Sequence, residues 1–151
     1  MSMNFEQYAA KGNEMINFLA TDLAVTRDQA ARILRATLHA LRNRLSIEEN
    51  FDLIAQLPMV IKAVYVDGWK PERQIHQSHH LIDFLDEIKE NDQKAGTFDF
   101  GDIEQTIFMA RGAIRVISKY VSNGELNDVI RTLPLKIREF IVNAIDEGQY
   151  I

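Results

Sequence analysis

TRDQAARILRATLHALRNRLSIEENFDLIAQLP, residues Thr26 to Pro58, returns later in the chain as DIEQTIFMARGAIRVISKYVSNGELNDVIRTLP, Asp102 to Pro134, at an offset of 76 residues. Arg35/Arg111, Ser46/Ser122, Glu49/Glu125, Asp52/Asp128, Ile54/Ile130, Leu57/Leu133, Pro58/Pro134 and, just beyond, Ile61/Ile137 are identical pairs. Leu34/Ala110, Leu38/Ile114, Leu41/Ile117, Leu45/Val121 and Leu53/Val129 stay apolar. Upstream, INFL at Ile16 to Leu19 recurs as IDFL at Ile82 to Leu85, now at an offset of 66, so the second copy holds a ten-residue insertion around Asn91 to Gly101. Its glycine and polar content reads as an exposed loop. A self-match of this length is the mark of an internal duplication.

Each copy reads as four helices. The first begins with Phe5, Tyr8, Ile16, Leu19 and Leu23 at helical spacing, matched by Leu81, Phe84, Leu85 and Ile88. The second opens on the capping box Thr26 to Gln29 and buries Ala30, Ile33, Leu34, Thr37, Leu38, Leu41 and Leu45 on one face. Ile103, Ile107, Ala110, Ile114, Ile117 and Val121 form the matching seam. The third helix starts at Ser46-Ile-Glu-Glu49 and again at Ser122-Asn-Gly-Glu125, both of capping-box form. Leu57-Pro58 and Leu133-Pro134 end it, because the residue before proline avoids helical backbone, and proline then suits the start of the fourth. Met59 to Val66 is apolar nearly all round and is expected in the core, with a homodimer or partner surface as the alternative. Almost nothing alternates with a period of two. The fold class is therefore all-α, a helical bundle of two pseudo-symmetric four-helix repeats sharing one core, in a single domain over residues 1–151 with repeats at approximately 4–68 and 78–148.

Composition narrows the function. The 151 residues are 46% apolar and 26% charged, enough for one core without a staple. The absence of cysteine removes disulfides, cysteine zinc sites, iron–sulfur clusters and thiol nucleophiles. A net charge of −5 argues against a dedicated nucleic-acid binder. No basic leader and no long apolar run is visible, so a cytoplasmic location off the membrane is expected.

The run Ile33 to Trp69 resembles a bacterial family of small helical proteins, domain of unknown function family 2267. The resemblance rests on Ala36, Leu38, Leu41, Arg42, Arg44 and Leu45, then Ala55-Gln56-Leu57-Pro58, then Tyr65 with Gly68-Trp69. SNGELNDVIRTLP stands for the same signature in the second half, which lacks the Gly-Trp. The likeness implies a helical fold and a bacterial cytoplasmic origin, and it carries no catalytic residues.

Three clusters could carry chemistry. His76, His79, His80 and Asp83 are the densest set of metal-ligand types, but on a helix His76/His80 and His79/Asp83 fall on different faces, and a hydrophilic lead-in capped by Ser78 is the preferred reading. Carboxylates gather at Glu48, Glu49 and Asp52, at Glu125 and Asp128, and at Asp83, Asp86, Glu87 and Glu90. The first two groups sit where helix N-termini favour negative charge. Arg32, Arg35, His39 and Arg42 line the face of one long helix opposite its apolar stripe, as Arg111, Arg115 and Lys119 do on the other. They are read as a solvated face or an ion-pair lattice, with an anion or nucleic-acid site as the alternative. Arg35 is expected to meet Glu49 or Asp52, and Arg111 to meet Glu125 or Asp128. No catalytic, cofactor-binding or metal-ligating residue is assigned, and no cofactor is implied. The expected function is a non-catalytic interaction or scaffold module with a protein partner or a second copy. The alternatives are a metal-dependent protein using the His76 to Asp83 stretch and an anion or nucleic-acid binder using the arginines.

Overall fold

The protein is described by a computed structural model covering residues 3–72 and 78–148. Nine α-helices and no strand occur among the described residues: α1 (Phe5–Leu23), α2 (Arg27–Arg42), α3 (Ile47–Gln56), α4 (Met59–Val66), α5 (Leu81–Asn91), α6 (Gly96–Phe100), α7 (Ile103–Tyr120), α8 (Asn123–Ile130) and α9 (Leu135–Gly148). A 3₁₀ turn, Gln93–Ala95, precedes α6.

Local chemistry sets the helix starts. Thr26 accepts from the Gln29 amide while the Gln29 side chain accepts from the Thr26 amide, and Ser46 with Glu49 repeats the device. Asp102 and Gln105 close a further box at α7. At α8 Ser122 accepts from the Glu125 amide at 3.3 Å, but no return bond from Glu125 is made, so the second Ser-x-x-Glu box is half of what its sequence suggested. Leu57, extended at ψ 151, ends α3, and the carbonyls of Pro58 and Pro134 accept the first bonds of α4 and α9.

Helices α2 and α7 lie against each other at the centre. α1 packs on both, α5 packs on both, and α9 runs along α7, so each half's first helix bridges the two long ones. One contiguous core results. The matched pairs Leu38/Ile114, Leu41/Ile117, Leu53/Val129, Leu57/Leu133 and Ile61/Ile137 are all buried. Thr37, buried on the apolar face of α2, returns its hydroxyl to the Ile33 carbonyl at 2.8 Å, which satisfies it in place.

Four expectations change. The insertion is no exposed loop: it folds into the 3₁₀ turn and α6, with Gly96, Asp99 and Phe100 buried against α2, α5 and α7. α4 lies at the edge of the core, burying only Ile61 and Tyr65, because an eight-residue helix has two turns with which to face it. Phe5 is exposed, and Met15 takes the core position on α1 instead. His39 and Arg42, read as part of a solvated face or an ion-pair lattice, are buried and form no ion pair among the described residues, whereas the buried Arg115 does belong to such a lattice.

Candidate functional site

The arginines form a lattice that ties the bundle together. Arg32 on α2 grips Asp99 of the insertion with two bonds, Nε at 2.7 Å and Nη2 at 2.9 Å, and the Asp99 side chain is 0% exposed. Arg44, after α2, meets Glu87 on α5 at 3.2 Å with both side chains almost wholly buried, and Asn43 donates to the same carboxylate. Arg115 on α7 reaches Asp22 on α1 and Glu147 on α9, each at 2.9 Å. Arg111 pairs with Glu147 as well. Arg35 meets Asp67 at 3.4 Å. Both Arg35 and Arg111 thus find a carboxylate in their own half, although the expected partners Glu49, Asp52, Glu125 and Asp128 are not the ones used. The long helix in each half lies beside the fourth helix rather than the opening of the third. The partners therefore come from the end of α4 and the last turn of α9.

Arg42 and His39 do a different task. The last carbonyls of a helix have no intrahelical donor. At α4, His39 Nε2 lies 2.8 Å from the Val64 carbonyl, and Arg42 Nη1 donates to the carbonyls of Tyr65 at 2.7 Å and Asp67 at 2.8 Å. Burial pushes the His39 imidazole down to about 4, with Arg42 and Arg35 acting the same way. Beneath them the Tyr65 hydroxyl donates to Asn50 Oδ1, and Asn50 Nδ2 donates to the carbonyls of Arg42, Leu45 and Ser46. The family-like residues Arg42 and Tyr65 therefore hold the corner between α2, α3 and α4, while Arg44 ties the end of α2 to α5.

Asp92 and Asp99 bring two carboxyl groups together under Arg32. Burial raises Asp92 to about 7, aided by its hydrogen bond to Asp99 and that group's charge. Its Oδ2 is buried and has no hydrogen-bond partner, which adds to the cost of leaving the group charged. For Asp99, burial works upward but is outweighed by the hydrogen bonds from Arg32 and Asp92, so its affinity for a proton is lowered. Sequence reading missed this pair because it lay in a segment taken for a loop. Phe98 and Phe100, two aromatics in an otherwise polar insertion, were the available signal.

The described part of the histidine stretch brings no ligand set together. His76 lies outside the described residues. His79 and His80 are exposed, and Asp83 accepts the Ser78 hydroxyl. Ser78 also accepts from the His80 amide, and His80 itself is the N-cap of α5, so the expected Ser78 cap is replaced by a turn before the helix. Among the described residues no group of three metal-ligating side chains occurs.

One open feature of the surface lies beside the Arg42 corner. Gly68, at φ +70, turns the chain after α4, a backbone that glycine adopts without steric cost. The turn brings Trp69 edge-to-face with Phe51 of α3, ring centroids 5.9 Å apart. Phe51 is 59% exposed and Ile47, one turn earlier on α3, 49% exposed. Next to this pair is a cavity of about 480 Å³ lined by residues that include Arg42, Asn43, Ser46, Ile47, Trp69 and Lys70.

Fold and site together define an all-helical protein with an arginine–carboxylate frame, buried at Arg44–Glu87 and Arg115–Asp22, and a cavity beside Trp69. The chain matches the family described as "Uncharacterized conserved protein (DUF2267)" over residues 12–140, and it belongs to that family. No curated protein matches it. No helix among the described residues is long and apolar enough to cross a membrane.

Proposed function

We propose that the chain is a non-catalytic interaction module, built from two related halves at approximately 4–68 and 78–148, that docks a partner protein on the corner formed by α3 and the Gly68–Trp69 turn. The observation that carries this is the exposed Phe51 set edge-to-face on the half-buried Trp69, next to the exposed Ile47, with Ile47 and Trp69 lining a cavity. Aromatic side chains placed together at a surface concavity are typical anchors of protein interfaces. The arginine ridges support the same reading by elimination. Five arginines that could have met phosphate, Arg32, Arg35, Arg44, Arg111 and Arg115, are spent on carboxylates. A duplex binder needs such groups free.

The test is a Phe51→Ser, Trp69→Ser double variant compared with the wild-type chain for retention of a partner from the native cell, followed by reconstitution with that partner purified. Both side chains are partly in water, so the variant keeps its helical signal and cooperative melting. Loss of the partner from a folded variant is the expected result. Undiminished retention overturns the proposal. So does a concentration-dependent dimer, seen by light scattering and abolished by the variant, since the corner would then be a self-contact.

A further inference from the structure

Arg42 stands apart from the other arginines of the lattice. It is 9% exposed, yet no carboxylate pairs with it among the described residues. Its Nη1 is taken by two carbonyls, and its Nε is buried without a partner. A buried cation without a paired carboxylate is costly: burial lowers the proton affinity of this guanidinium and Arg35 adds to the effect, which the charge of nearby Asp67, itself paired with Arg35, does not cancel. Arg42 lines the cavity beside Trp69.

A second source of positive potential faces the same space. α3 starts there: the Glu49 amide is occupied by the Ser46 hydroxyl, but the amides of Ile47 and Glu48 donate to nothing among the described residues. Amides left open in the first turn attract anions, and α3 has ten residues behind them. Lys70 adds a third group on the rim and forms no ion pair among the described residues. Glu48 and Glu72 also line the cavity. Two carboxylates against two cations leave the lining formally neutral, so a doubly charged phosphate is disfavoured more than a singly charged carboxylate, which is held by hydrogen bonds from the guanidinium and the open amides.

Resting on the interaction reading above, we propose that the cavity receives a carboxylate of the partner's peptide chain together with the apolar group next to it. The carboxylate lies against Arg42, Lys70 and the amides of Ile47 and Glu48, and the apolar group lies on Trp69 and Phe51. An acidic or C-terminal peptide segment is thus the chemistry this corner selects.

Trp69 is the one tryptophan of the chain, so its fluorescence reports the cavity directly. The probes are N-acetyl-leucine, which carries a carboxylate beside an apolar side chain, its neutral amide N-acetyl-leucinamide, and inorganic phosphate. N-acetyl-leucine is expected to give a saturable change that weakens as salt is raised, with the amide binding about ten-fold more weakly. Arg42 braces α4, so the variants are placed elsewhere. Lys70→Glu removes a rim charge, and Ile47→Pro removes one amide at a helix position that accepts proline. Each should weaken the carboxylate severalfold with cooperative melting retained.

Equal response to acid and amide overturns the carboxylate site and leaves the interaction surface standing. Tighter binding of phosphate than of N-acetyl-leucine overturns the peptide carboxylate in favour of a phosphate ligand. The absence of any saturable response in the wild-type chain overturns the site outright. Failure of the interaction reading itself is separate, appearing as partner retention that is indifferent to Phe51 and Trp69.

Discussion

Replacing His39 by glutamine should change how stability depends on pH, and Asp92→Asn should change it in the opposite sense. His39 is 6% exposed and lies 2.8 Å from the Val64 carbonyl, which a neutral imidazole satisfies by donating. Unfolded, it takes a proton near 6.5; folded, burial and the nearby Arg42 and Arg35 hold it down to about 4. Its contribution is whole above pH 6.5 and is lost as pH falls toward about 4, because the unfolded chain binds the extra proton there. At about 1.4 kcal/mol per pH unit the ceiling is roughly 3 kcal/mol. Asp92 runs the other way. Its carboxyl is raised from 3.8 to about 7, so the folded chain keeps a proton that the unfolded chain releases. That contribution is whole below about 3.8 and is lost as pH rises through about 7. Asp92 is partly in water, and screening trims its effect to about 1–2 kcal/mol.

Between about pH 4 and 6.5 the two slopes therefore oppose each other, and the wild-type profile is flatter than either alone. His39→Gln keeps an N–H for Val64 and removes the histidine titration. Its stability should rise by about 1 kcal/mol between pH 7.5 and pH 5, whereas that of Asp92→Asn should fall by about 2 kcal/mol. Urea unfolding followed by circular dichroism at the two pH values measures both. Retention of the wild-type profile by both variants would refute the assignment of these two groups as the opposed titrations.

Further outcomes follow from the packing. Leu41→Ala empties a buried position on α2 and should cost about 2–5 kcal/mol in chemical denaturation, and Ile117→Ala should act alike at the matched position on α7. Ser46→Ala should cost about 1 kcal/mol and Ser46→Gly a few tenths, and equal losses would remove the capping role. Gly96→Ala would set a Cβ 2.5 Å from the Lys89 carbonyl oxygen, a backbone atom with little freedom to yield. A loss of about 1–3 kcal/mol is expected, with faster amide exchange in α6. Arg44→Ala should cost about 3–5 kcal/mol by stranding Glu87, whereas the more exposed Arg35→Ala should cost less than about 1 kcal/mol.

The helices, their caps and their buried stripes were legible in the chain itself. Those features depend on residues three and four apart, so a window of sequence contains all of their causes. The paired positions Leu38/Ile114 and Leu53/Val129 could be assigned to a core before any helix was oriented. The polar contacts could not. Arg32 meets Asp99 across 67 residues and Arg115 meets Asp22 across 93, and which carboxylate each arginine finds depends on which helices lie side by side. Arg42 looked like a solvated or ion-paired neighbour of Arg35, and only the end of α4 arriving beneath it turned it into a brace with a buried, unpaired nitrogen. The insertion became α6 because α2 and α5 offered it a trough for Phe100 and an arginine for Asp99, which its own polar composition did not reveal. Helix formation is a local balance and belongs to the sequence; charge pairing and cavity formation need surfaces far apart in the chain to meet, and only the tertiary structure decides them.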